Sequence, residues 1–378
     1  MENTIMADDP SVERLEKLTS YLAADPENPS LLADCADAAL AADIPEEALA
    51  FFKRLDTIEP LSGGRANAAG IAAMRSGDQQ SAQTWLAREL DNDPENESLK
   101  FNIAWSKALS KDFEGAAELL SDDLTQHLPQ AAMLDLQIEH ELGNFEEAAE
   151  KMVAYLERFP EYPPLAAAAS VLAMDTDQHD LARQTAEKGG THPDALTTLG
   201  TLDLGDRKLD EARAQFERAL AVRAQNPRAE IGLGLVDLAE GNAVQAAERL
   251  DRGAEQFGSH LGTWIAAGWA HFIGGDLVKA RERFETALEH DDAFGEAQGS
   301  LAVIELLEGD QKAAQRRIEI ARRLDREAFS TALATMLWEQ SQGNPEKAEQ
   351  IFRIASQQQI LPNGSTLMDE LVKALGTK

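Results

Sequence analysis

An active site in this chain would have to be built from seven histidines, one cysteine and 67 acidic residues. The histidines, His127, His140, His179, His192, His260, His271 and His290, sit in seven unrelated local contexts. None shares metal-ligand spacing with Cys35 or with another histidine. There is no HExxH helix and no Gly-rich loop followed by Lys-Ser/Thr. Gly232-Leu233-Gly234 falls inside a predicted helix, where packing explains it. The carboxylate pairs Glu46-Glu47 and Glu146-Glu147 open predicted helices and complement the positive end of the helix dipole there. Arg316, Arg317, Arg322, Arg323 and Arg326 are interleaved with Glu319, Asp325 and Glu327. That spacing predicts a salt-bridged outer face, with a docking patch for an acidic partner as the alternative. The residues predict no enzyme, no metal and no cofactor.

The elements that carry these residues are paired helices. Alanines opening the second helix of each pair recur at Ala48, Ala82, Ala116, Ala148, Ala182, Ala212, Ala246, Ala280, Ala314 and Ala348, in steps of 34, 34, 32, 34, 30, 34, 34, 34 and 34. Twelve residues before each stands Ala36, Gly70, Ala104, Leu136, Ser170, Gly200, Gly234, Gly268, Ala302 or Met336, eight of them small. Small side chains there let the two helices of a pair cross closely. Four residues after the alanine comes a plug: Phe52, Leu86, Leu120, Met152, Ala186, Phe216, Leu250, Phe284, Ile318 or Phe352. Only Ala186 is too small for that role. Gly-Asp and Gly-Asn turns at Gly77, Gly143, Gly241, Gly275, Gly309 and Gly343 end one helix in the left-handed conformation and cap the next. Prolines at Pro60, Pro94, Pro129, Pro160, Pro193, Pro227 and Pro362 are predicted to stop second helices.

The pattern is densest over 262–292, where Trp264, Gly268, Ala280, Phe284 and Ala287 resemble the tetratricopeptide repeat, W-x2-L-G-x2-Y then A-x3-F in 34 residues. Ala267, His271 and Asp292 depart from its Leu, Tyr and Pro. His271 thus takes a core-facing position and is predicted to be a satisfied, buried imidazole. The resemblance covers about residues 11–376. It implies an all-α, right-handed solenoid of ten helix pairs, elongated and without a globular catalytic domain. The predicted organisation is a disordered stretch over 1–10, a capping helix over 11–28, with Ser11 as its cap and Leu15, Leu18 and Leu22 as its stripe, ten repeats over 29–362, and a capping helix and tail over 363–378. The least regular repeat, 163–194, is predicted to hold a local distortion or joint.

Composition limits the setting. Net charge is −32, from 35 Lys and Arg against 67 Asp and Glu. A field of that sign disfavours nucleic acid and anionic membrane and favours a basic partner at the more acidic N-terminal half. No apolar run approaches the ~20 residues of a membrane span. The lone cysteine and the opening sequence predict a cytoplasmic, soluble protein.

What remains is surface. The resemblance implies that first helices line a groove that binds segments of other proteins. The Lys-Asn pair of carboxylate-clamp members is missing from the corresponding positions. Instead a second apolar stripe runs beside the packing stripe: Ile231, Leu235 and Leu238, then Ile265, Trp269 and Phe272, then Val303 and Leu306, then Leu333 and Leu337, with Phe101 and Trp105 in the N-terminal half. The sequence predicts that this stripe, centred on Trp269, takes an amphipathic helix or apolar-anchored peptide of a partner protein, with filling of the groove by neighbouring first helices or by the helix over 365–375 as the alternative. The expected function is a non-catalytic adaptor or scaffold in complex assembly, secretion or an envelope process. Self-association of the array, or regulation of a basic partner through the acidic half, is the alternative.

Overall fold

The structure, a computed structural model, describes residues 10–355 except Ser259, and their side chains except those of Phe352, Ile354 and Ala355. The expected capping helix over 363–378 and most of the expected disordered stretch over 1–10 lie outside these residues. All regular structure among them is helical. Helix α1 (Pro10–Leu22) stands alone. The pairs that follow are α2 (Pro29–Ala41) with α3 (Pro45–Ile58), and α4 (Gly64–Arg75) with α5 (Gln79–Asn92). Next come α6 (Glu97–Leu109) with α7 (Phe113–Ala117) and α8 (Asp122–His127), and α9 (Pro129–Glu141) with α10 (Phe145–Arg158). Then follow α11 (Pro163–Asp175) with α12 (His179–Gly189), α13 (Pro193–Gly205) with α14 (Leu209–Val222), and α15 (Pro227–Ala239) with α16 (Ala243–Phe257). The last are α17 (Leu261–Ile273) with α18 (Leu277–His290), α19 (Gly295–Glu308) with α20 (Gln311–Leu324), and α21 (Phe329–Ser341) with α22 (Pro345–Ala355). The helices form two compact units, residues 1–168 and 169–378.

The small and large positions of the repeat meet as the spacing requires. A Cβ on Gly70 would stand 2.6 Å from Leu86, one on Gly200 2.7 Å from Phe216, and one on Gly268 2.3 Å from Phe284. Ala186 is fully buried in the plug position, and α12 is unbroken. The boundary between the two units falls within α11 of this repeat. The third repeat is interrupted: its second helix stops after Ala117 and restarts at Asp122, where Ser121 Oγ accepts from the Leu124 amide at 3.1 Å.

The turns follow one rule. Gly77, Gly143, Gly241, Gly275, Gly309 and Gly343 all have positive φ. The same turn position in the other four pairs is also left-handed, but is occupied by Asp43, Lys111, Asp177 and Arg207. Asp78, Asp276 and Asp310 each cap the helix that follows through an amide three residues on. The asparagines differ from expectation: Asn144 and Asn242 make no capping bond. Their amides turn back to Glu139 and Glu240 instead. Helix α1 begins at Pro10, one residue ahead of the expected cap Ser11. Several prolines also act at the other end of the turn. Pro129, Pro193 and Pro227 open first helices rather than closing second ones, where a missing N–H costs nothing. The expected first-turn acids Glu46, Glu47, Glu146 and Glu147 are in place.

Candidate functional site

In unit 2 the second apolar stripe is not an open surface. Trp269 is 3% exposed, Ile265 8% and Val303 1%, all within one core cluster. The Trp269 ring meets Phe272 at 5.2 Å, Phe284 at 5.4 Å and Phe329 at 6.1 Å between centroids. Phe329 opens α21, two repeats on from α17. It reaches Trp269 because α19 and α21 pack along much of their length. Glycines permit that approach: a Cβ on Gly299 would fall 2.4 Å from Ser330 Oγ and 2.6 Å from the Thr331 amide. A Cβ on Gly295 would fall 2.8 Å from Asp325. Neighbouring first helices therefore cover the centre of the expected site. Ile231, Leu235, Leu238, Phe272, Leu306, Leu333 and Leu337 remain half-buried along its margins.

Unit 1 keeps its stripe open. Phe101 and Trp105 on α6 are half-buried, with ring centroids 5.7 Å apart, and Leu109, one turn further on, is 52% exposed. The residue equivalent to Gly299 in the next first helix, α9, is Met133, which is buried. Helices α6 and α9 meet only at a few residues, as α17 and α19 also do, and no pair of first helices in unit 1 packs as closely as α19 and α21. On the preceding helix Ile71 and Met74 continue the face, and Asn102 Nδ2 donates to Asn67 Oδ1 at 2.8 Å.

A second set of residues was legible in the sequence only at His271. Asp203, Asp237, His271, Glu305 and Glu339 occupy one core-facing repeat position at steps of 34, and all are buried. Each meets an opposite or complementary group. Arg183 donates to Asp203 at 2.9 Å; Arg213 and Arg249 donate to Asp237 at 2.7 and 3.0 Å. Arg317 serves Glu305, and Lys347 serves Glu339. His271 Nε2 lies 2.9 Å from Asp251, which also takes both arms of Arg283, so the imidazole is satisfied as expected. Burial alone would raise the Asp251 pKa, but Arg283 and His271 outweigh it and hold the carboxyl below its ordinary range. In unit 1, Lys151 bridges Glu139 and Asp135, and Tyr155 donates to Asp135 at 2.6 Å. There burial wins, and the Asp135 pKa is raised despite Tyr155 and Lys151. These groups join neighbouring helices.

The arginine cluster on α20 does not form the expected outer network. Arg317 turns inward to Glu305 and Gln298. Arg316, Arg322, Arg323 and Arg326 are exposed and make no ion pair among the described residues. No group of three or more His, Cys, Asp or Glu among those residues could hold a metal ion. No described helix is long and apolar enough to cross a membrane.

Residues 197–260 match the tetratricopeptide repeat family. No curated protein matches the sequence. Among solved structures, a monomeric mutant of IFIT1 with Gppp-AAAA is similar over 93% of this chain and 96% of that one, at 11% identity and a TM-score of 0.54. The human IFIT1 dimer with m7Gppp-AAAA is similar over 93% and 95%, at 12% identity and a TM-score of 0.52. At such identity the likeness speaks to the fold alone, an all-helical repeat.

Proposed function

We propose that this tetratricopeptide-repeat protein is a non-catalytic scaffold that holds a segment of another protein against its first helices. The observation that carries this reading is the half-covered stripe Phe101, Trp105 and Leu109 on α6. Contiguous apolar surface left open on a folded protein commonly marks an interaction site, and aromatic side chains dominate binding energy at such sites. The half-buried residues Ile231, Leu235, Leu238, Phe272, Leu306, Leu333 and Leu337 form a secondary margin for contact. Ile265, Trp269 and Val303 contribute to the core and not to the contact. The net charge of −32 favours a protein partner over nucleic acid.

The test is capture of partners by the full-length protein, identified by mass spectrometry, compared with Trp105→Asp. The expected result is loss of the captured polypeptide with helical circular dichroism retained. Equal capture by both proteins would remove α6 from the site.

A further inference from the structure

The open stripe of unit 1 continues in register onto a charged feature. Asp37 on α2, Ile71 on α4 and Trp105 on α6 are separated by 34 residues each and occupy one repeat position, so they lie along one face. Asp37 is exposed and has no ion-pair partner among the described residues. It borders an open cleft of about 570 Å³ shared with Glu59, Leu61, Arg65 and Ala68. Arg65 stands 3.3 Å from Glu59, which matches its charge and leaves that of Asp37 uncompensated. Between the cleft and the aromatic stripe lies the Asn67–Asn102 pair. Their mutual bond fixes both amides. It leaves the amino group of Asn67 and the carbonyl of Asn102 without a partner among the described residues, one donor and one acceptor, the complement that a peptide backbone offers.

We infer, resting on the scaffold reading above, that the segment held by unit 1 is cationic at one end and apolar at the other. Its Lys or Arg enters the cleft at Asp37, its aromatic or aliphatic side chain packs on Phe101 and Trp105, and its backbone between them bonds to Asn67 and Asn102. Charge complementarity selects this occupant over an acidic one: residues 1–168 carry 12 Lys and Arg against 33 Asp and Glu. Seven of those cations, Lys53, Arg65, Arg75, Arg88, Lys100, Lys107 and Lys151, are already paired within the unit. Packed helices lie about 8–10 Å apart, so Asp37 and Trp105, two first helices apart, are separated by on the order of 20 Å. An extended chain at ~3.3 Å per residue crosses that in about six residues.

A displayed library of random twelve-residue peptides, selected on the full-length protein, tests this. Enriched peptides are expected to carry Lys or Arg about six residues from Trp, Phe or Leu. A synthetic fluorescein-labelled copy of the strongest is then titrated against wild type, Asp37→Lys, Trp105→Asp and the more exposed Leu109→Asp. Asp37→Lys is expected to weaken it roughly two- to fivefold, the effect of a solvent-facing ion pair, and to abolish the preference for a cation in a repeated selection. Trp105→Asp or Leu109→Asp is expected to weaken it about thirtyfold or more. Enriched peptides without a cation, or binding indifferent to Asp37→Lys, overturn the inference and leave the scaffold reading standing. No enrichment on wild type, or binding unaffected by both α6 substitutions, overturns the two together.

Discussion

Asp237 is 1% exposed and receives two guanidinium groups, one from the preceding repeat and one from its own. Truncating it leaves Arg213 only Glu240 and Arg249 only Glu230, which puts the cost at the low end of that for breaking a buried pair, about 3 kcal/mol. Asp237→Ala is therefore expected to lower stability by about that amount in urea denaturation; a loss within ~0.5 kcal/mol, typical of surface sites, would show the lane to be incidental. Asp78 supplies the pH dependence. The Lys53 ammonium first, then the amide and hydroxyl of Ser81, hold its carboxyl down at about 2. A carboxyl depressed on folding stabilises fully above its unfolded value, near ~3.9, and loses that stabilisation as pH falls through the folded value. Asp78→Ala is expected to cost about 1 kcal/mol at pH 7, as for a lost helix cap, and a small fraction of that near pH 2. A cost that persists unchanged in acid would contradict the assignment. At this scale sequence reasoning recognised His271 as satisfied but missed its lane-mates. Steps of 34 through Asp203, Asp237, Glu305 and Glu339 were visible, yet buried charge is legible only once the arginines that meet it are placed.

Among the elements, the turns show how local chemistry sets structure. Lys111 and Arg207 hold positive φ where six equivalent positions have glycine. A left-handed backbone costs a residue with Cβ roughly 1 kcal/mol. Lys111→Gly and Arg207→Gly are therefore expected to stabilise by up to about 1 kcal/mol, offset in part by the greater freedom of glycine in the unfolded chain. Thermal melts check this, and a fall in midpoint for both would contradict it. Helix pairing, plugs and small positions were readable in sequence because each depends on residues within one 34-residue step. Which side of a first helix stays open was not readable that way. Trp269 and Trp105 occupy the same repeat position with similar apolar neighbours. Their different burial follows their ring contacts: Phe272, Phe284 and Phe329 surround Trp269, and Phe329 comes from two repeats on, whereas Trp105 meets only Phe101 among the described rings. Trp269→Asp is accordingly expected to unfold its unit, at a cost of about 3 kcal/mol or more, whereas Leu109→Asp leaves the melt nearly unchanged. Matching melts for the two would put Trp269 back at the surface. The break between α7 and α8 left only the weak signal of Ser121 before two aspartates.

For the molecule as a whole, the larger share of the charge and the half-covered aromatic stripe of α6 fall in the same unit. Residues 1–168 hold most of the net negative charge and the half-buried aromatic pair Phe101 and Trp105, which runs on to the exposed Leu109. Exposed charge is screened within about 10 Å at 0.1 M salt, so partner binding at this unit is expected to weaken as salt rises while the apolar contribution persists. Composition made the acidity plain from the start. Its coincidence with the open stripe needed the structure, because it depends on how first helices approach one another. The most direct measurement of the central claim is hydrogen–deuterium exchange across the full-length protein with and without its captured partner. New protection is expected to concentrate in α2, α4 and α6. Protection confined to second helices, or none in α6, would contradict it.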